Sequence, residues 1–141
     1  MQVDKIKLGS VIDHIKPGKV SKIMKLLCIG EEFGHRVAVM FNVPSKRMGT
    51  KDILKIEGKV VSPHECGLIA LVSPGATINI IQAGQVKQKY KIKYPQTIEG
   101  PIKCPNPTCI GGEYVPKFKH EKNSLYRCHY CERIFSSEEL M

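Results

Sequence analysis

The run C-P-N-P-T-C at residues 104–109 and the run C-H-Y-C at residues 128–131, with eighteen residues between them, decide how the C-terminal part of this chain folds. Each pair of cysteines sits in a tight, turn-prone stretch. Two such hooks facing one another make a tetrahedral thiolate site of the kind that holds zinc. Cys104, Cys109, Cys128 and Cys131 are therefore the expected ligands of one structural zinc ion. Four thiolates close the coordination sphere, whereas a catalytic zinc keeps a position open, so the spacing argues against chemistry at the metal. Two disulfides are the competing reading. They fit poorly with a chain whose first ten residues, MQVDKIKLGS, lack the apolar core of a secretion signal. Reduced thiols and a metal site fit the cytoplasm. His129, inside the second hook, is left without a ligand role because two cysteines already fill the usual positions.

Outward from the hooks, charge divides the chain. Its 141 residues carry a formal net charge of +9. Residues 1–97 hold sixteen Lys/Arg against seven Asp/Glu, and residues 98–141 hold six of each. Four thiolates on one Zn²⁺ would take the C-terminal part to about −2. A ribbon that grips nucleic acid should itself be basic. The anion-seeking surface is thus expected in the first part, and the metal module is expected to face protein. A zinc-ribbon nucleic-acid-binding protein, suggested by the overall pI of 9.3, stays as the alternative. No apolar run approaches the ~20 residues of a membrane span.

Patterning along the first part predicts an α+β fold. Residues 2–15 read as a strand with a kink or bulge at Gly9-Ser10. Residues 17–29 read as a helix opened by Pro17 and stopped by Gly30, with Val20, Ile23, Met24, Leu27 and Cys28 on one stripe. That stripe makes Cys28 a small core residue. Residues 35–43 form a strand ended by Pro44, and residues 51–57 another, with Leu54 and Ile56 on one face and Lys51, Ile53 and Lys55 on the other. Ser62-Pro63-His64-Glu65 is a capping box opening a helix over 63–72. That helix is more apolar than one face against a sheet requires, which suits either a doubly covered core helix or a subunit contact. Residues 76–82 are a strand. After Ala83-Gly84, alternation puts Val86, Gln88, Tyr90 and Ile92 on one face and Lys87, Lys89, Lys91 and Lys93 on the other.

The order β-α-β-β-α-β plus one strand is the ferredoxin-like pattern, an antiparallel sheet with two helices. Residues 94–101 read as a Pro/Gly-punctuated linker, giving domains of 1–96 and 97–141, the second a small, mainly-β zinc-ribbon-like unit. Tyr114, Phe118, Tyr126, Tyr130 and Phe135 would supply its core. About 40 residues bury too little surface to fold alone, and the metal would make up the difference.

No phosphate-binding glycine loop, dinucleotide fingerprint or nucleophile elbow is present. Asp13 and His14 are neighbours on a strand and should point to opposite faces. His35, His64 and His120 read as surface residues. What residues 1–97 offer is an anion site. Lys51 and Lys55 share a face, His14, Asn79 and Lys89 come from other strands, and Asp4 or Asp13 would accept from ribose hydroxyls.

Several segments carry a resemblance: VIDHI at 11–15, NVPSKRMGTKDILKIE at 42–57, ATINII at 76–81, CPNPTCI at 104–110 and CHYCERIFS at 128–136. Together they resemble the regulatory chain family of aspartate carbamoyltransferase over nearly the whole length. The resemblance implies a non-catalytic subunit. Regulatory chains of that family pair through their N-terminal domains, and their zinc domains grip catalytic chains, so that regulatory dimers bridge catalytic trimers. The catalytic chains join carbamoyl phosphate to aspartate in pyrimidine synthesis. CTP, with UTP in some members, inhibits, and ATP activates. The nucleotide site it implies uses Val3, Asp4, Lys5 and Ile6 for the base and Asp13 and Lys55 around the ribose. His14, Lys51 and Lys89 would face the phosphates, with Asn79, Ile81 and Val86 lining the pocket. This chain departs from the family at Gly84, where tyrosine is often found, and at Lys5, where a small residue is common. Both departures bear on base selectivity.

Overall fold

In the computed structural model, which describes residues 7–100, 102–110 and 114–141 (for Tyr90 the backbone alone), two antiparallel sheets share one helix between them. The first sheet contains β1 (Gly9–Ile15), β2 (Val37–Ser45), β3 (Gly49–Glu57), β4 (Thr77–Gln82) and β5 (Gln85–Lys91). Their spatial order is β2-β3-β1-β4-β5. Helices α1 (Val20–Leu26) and α2 (Pro63–Val72) complete the β-α-β-β-α-β order that the periodicity predicts. Ile12, Ile15, Ile23, Leu54, Ile69 and Ile78 are fully buried in its core. Ile12, Ile15, Leu54 and Ile78 come from the strands and meet Ile23 of α1 and Ile69 of α2, so among the described residues the opposite face of the sheet carries no helix.

Three local details differ from the sequence expectation. The bulge in β1 lies between Ile12 and Ile15 rather than at Gly9, with His14 at φ 58. Helix α1 is shorter than expected. Lys16-Pro17-Gly18-Lys19 forms a turn closed by Lys19 N–H to Lys16 O (3.1 Å), with Gly18 at φ 86, the conformation glycine supplies at the third position of a type II turn. Pro17 therefore belongs to that turn and not to the helix. At the other end, Cys28 takes the left-handed position (φ 56) two residues before Gly30. Its N–H donates to Lys25 O and that of Ile29 to Met24 O, the pair of bonds of a Schellman cap. Cys28 is consequently exposed, not a core residue. Strand β2 also runs through Pro44, which an edge strand tolerates because no outer neighbour needs its missing N–H.

The second sheet, ordered β6-β7-β8-β9, contains β6 (Thr97–Glu99), β7 (Lys117–His120), β8 (Leu125–Cys128) and β9 (Ile134–Ser136), followed by α3 (Ser137–Leu140). The expected linker thus contributes a strand. Phe118, Tyr126 and Phe135 are buried as expected, Tyr130 is half-buried, and Tyr114 is exposed. Tyr114 stacks on Tyr130 at the surface, with ring centroids 5.6 Å apart.

Helix α2 joins the two cores. Its capping box is formed, with Glu65 N–H donating to Ser62 Oγ and Ser62 N–H to the Glu65 carboxylate. Every residue from Cys66 to Val72 is buried. Ile69, Ala70 and Val72 pack into the first core, while Leu68 and Leu71 pack with Ile98, Phe118, Tyr126 and Leu140 in the second. The excess apolarity of α2 therefore serves the chain's own C-terminal module. Pro95 fastens the joint, its carbonyl accepting from Tyr126 Oη at 2.8 Å.

Candidate functional site

The four cysteines come together. Cys104 and Cys109 lie on the loop before β7, Cys128 ends β8, and Cys131 lies in the turn before β9. Their sulfurs all lie within 4.8 Å of one another. Cys104 Sγ is 3.7 Å from Cys131 Sγ, and Cys109 Sγ is 3.7 Å from Cys128 Sγ. A disulfide would need about 2.05 Å. A tetrahedron of sulfurs at a Zn–S distance of about 2.3 Å has edges of about 3.8 Å, so the donor set fits zinc in both chemistry and size.

Backbone turns hold the hooks. Asn106 Oδ1 accepts from Thr108 N–H and hydroxyl, and Cys109 N–H donates to Asn106 O. In the second hook Glu132 adopts φ 63 so that its N–H can reach Cys128 O at 3.0 Å. Burial pushes the Cys104 thiol up to about 12. At Cys131 burial also opposes ionisation, but the Arg133 N–H, the Asn106 amide and the neighbouring thiols outweigh it and bring the group to about 7. Bound zinc would supply the positive charge that lets all four ionise. His129 is exposed and lies outside the cluster, its ring edge-on to Tyr130.

The helix-free face of the first sheet collects the expected anion ligands. Register places Ala38, Lys55, Val11, Asn79 and Lys89 in one row across all five strands. A second register shift, between Ile80 and Ile81 opposite β5, corrects the simple alternation of that strand. Val86 pairs with Ile81 and Lys89 with Asn79, so both lie on the same face, with Lys87 as the extra residue. The bulge at His14 has the same effect on β1. Asp13 and His14 do not point apart. His14 Nδ1 is 3.0 Å from Thr77 Oγ1, and Thr77 is the cross-strand partner of Asp13. Asp13 Oδ1 lies 2.9 Å from Lys51 Nζ and accepts from His14 N–H. Burial, then the charges of Lys51, Arg47 and Lys89, hold His14 below its ordinary value against the opposing pull of Asp13. Val3, Asp4, Lys5 and Ile6 lie outside the described residues.

Sequence reasoning missed Thr77 and Arg47. Arg47, at the tip of the β2–β3 hairpin, donates to Gly75 O. It stands within the segment that carries the resemblance, but a loop residue has no periodicity by which to assign it a face.

The fold and the metal centre define a two-part chain, a helix-backed sheet with a cationic free face joined to a closed thiolate metal module. No described helix is long and apolar enough to cross a membrane. The family model for the aspartate carbamoyltransferase regulatory chain allosteric domain matches residues 1–93, and that for its metal-binding domain matches residues 96–141. Aspartate carbamoyltransferase regulatory chains of Pyrococcus furiosus (48% identical; all of this chain and 96% of that one), Sulfolobus acidocaldarius (45%; all and 89%) and Methanopyrus kandleri (41%; 99% and 93%) are similar to it. The chain belongs to the family of aspartate carbamoyltransferase regulatory chains. Its role is regulatory rather than catalytic, and the nucleic-acid-binding alternative is not favoured.

Proposed function

We propose that residues 1–96 form a nucleotide sensor that binds ATP, CTP and UTP, and that residues 97–141 couple it to the catalytic chain of aspartate carbamoyltransferase. Two copies pair through their N-terminal domains and bridge catalytic trimers in the cytoplasm. The single observation that carries the sensor is the helix-free sheet face, where Lys51, Lys55, His14 and Lys89 stand beside Asp13 and Asn79. Four cationic or protonatable groups with an amide and a carboxylate suit a phosphate chain joined to a ribose. The row Gly9, Ile81 and Val86 lies four strand residues, about 13 Å, from the row of Asp13 and Thr77. That span separates an end carrying Ile81 and Val86, beside the Arg36–Glu57 ion pair, for the base from a cationic end for phosphates.

A nucleotide changes a distant catalytic site only by binding two quaternary states unequally, with a typical coupling of ~1–3 kcal/mol. The rigid joint between α2 and the metal module is the path for that bias. Calorimetric titration of ATP and CTP into wild type, Lys55→Ala and Lys89→Ala tests the reading, with size-exclusion of each variant mixed with catalytic trimers. Weakened nucleotide binding with intact assembly is expected; unchanged titrations in both variants overturn it.

A further inference from the structure

We propose that Arg47 is a phosphate-chain sensor, leaving Gly75 O to grip the terminal phosphate of a nucleoside triphosphate; this rests on the nucleotide reading above. The residue is exposed at the tip of the β2–β3 hairpin, in the turn that Met48 N–H closes onto Ser45 Oγ. Its guanidinium reaches across β1 to the loop before β4 and rests on Gly75 O, two residues from Thr77. Thr77 in turn holds the His14 ring, and Asp13, opposite Thr77, holds Lys51. These residues converge at one end of the sheet, and Arg47 is the outermost cation of the set. Its charge acts on His14 together with those of Lys51 and Lys89, so the three cations and the imidazole bear on one volume.

A guanidinium presents five donors in a planar fork suited to phosphate oxygens, and a single neutral carbonyl is a weak competitor for them. Gly75 leaves room for the fork, since a Cβ built there would meet Arg47 Nη2 at 3.1 Å. A phosphate chain lying along the free face from the Val11 row meets Lys89, His14 and Lys51 first and Arg47 last. Arg47 would then discriminate by chain length and not by base.

The experiment titrates AMP, ADP and ATP into full-length wild type, Arg47→Ala and Arg47→Lys, with melting curves to show that each variant is folded. The expected result is an ATP affinity lowered about tenfold in Arg47→Ala, the equivalent of ~1.4 kcal/mol, a smaller loss for ADP and none for AMP. Arg47→Lys is expected to recover only part of the loss. An equal loss for all three nucleotides, or no loss for ATP, overturns the role of Arg47 while wild type still binds. Absence of nucleotide binding to wild type instead overturns the sensor reading.

Discussion

Lys51 and Asp13 form an ion pair on the helix-free face, Nζ to Oδ1 at 2.9 Å, with both side chains largely shielded from water. The pair is held by strand register on one side and a bulge on the other, so the ammonium is positioned before any ligand arrives. A positioned, partly desolvated cation contributes more to anion binding than a mobile surface lysine. Lys51→Met is expected to lower ATP affinity at least tenfold, or ~1.4 kcal/mol, and to flatten the salt dependence of binding. Calorimetry at two ionic strengths measures both. The partner left behind, Asp13, becomes an unpaired negative charge and adds to the loss.

His14 gives the same face a pH dependence. Its folded pKa lies below 6.5, chiefly through burial and then through Lys51, Arg47 and Lys89. With a depressed folded value, the unfolded chain takes up protons first. The stability His14 contributes is therefore present above 6.5 and lost as pH falls through the folded value. A bound polyphosphate reverses the field and favours the imidazolium. Binding is then expected to be accompanied by proton uptake as pH falls below 6.5, because a depressed imidazole is less protonated when free than when paired with phosphate. Titrations in buffers of different ionisation enthalpy measure the uptake, and His14→Gln is expected to abolish it.

The contrast between His14 and Lys55 shows where sequence reading works. Lys51 and Lys55 lie four residues apart on a regular strand, so period-two alternation assigns their face correctly. The cysteine hooks were legible for a similar reason, since ligand spacing is short and local. Asp13-His14 and Val86 were not, because one inserted residue in each strand flips everything beyond it. The first lies opposite β3, distant in sequence; the second lies within the β4–β5 hairpin, where Lys87 is inserted without breaking the visible lysine alternation. Cys28 failed differently. It continues the helical stripe in sequence, yet the helix ends two residues before it, at Leu26, and a cysteine occupies the left-handed cap where glycine was expected.

Asp52 is the buried fastener behind this face. It is 1% exposed, and its two oxygens accept from Gly18 N–H at 3.0 Å and Asn42 N–H at 2.9 Å. One carboxylate thereby ties the turn that opens α1 to the bulge in β2, where Asn42 sits at φ 56. Asp52→Ala leaves two backbone donors short of a partner and is expected to cost ~2–4 kcal/mol, since hydrogen bonds to a charged group exceed neutral ones. Urea unfolding is the measure. A midpoint within error of wild type would show that water replaces the carboxylate without loss.

Gly67 tests the joint between modules. A Cβ there would stand 3.1 and 3.2 Å from the Cγ and Cβ of Pro95, whose carbonyl is tied to Tyr126. Gly67→Val forces the Pro95 ring away from α2 and is expected to cost ~1–3 kcal/mol, the usual penalty for overpacking. Nucleotide affinity should stay near wild type, because α2 lies on the other side of the sheet from the cationic face. The effect of ATP and CTP on the assembled enzyme's aspartate saturation is expected to shrink. Unchanged effector response with normal stability would place the transmission path elsewhere.

Metal removal separates the two modules by their sources of stability. The first core is built from long, fully buried aliphatic side chains that need no metal. The second rests on three buried aromatic rings and a four-thiolate centre, and Cys128 itself belongs to that core. Zinc contributes ~10–16 kcal/mol in comparable small domains, far more than those rings can replace. Chelation or Cys109→Ala is therefore expected to unfold the sheet of β6 to β9 while β1 to β5 stay folded, with nucleotide binding retained and co-elution with catalytic trimers lost. Two-dimensional NMR of the chelated chain distinguishes the modules residue by residue. Co-elution of a metal-free chain would mean that the metal module is not what grips the catalytic chain, because a thiol cluster without its cation cannot hold both hooks in one geometry.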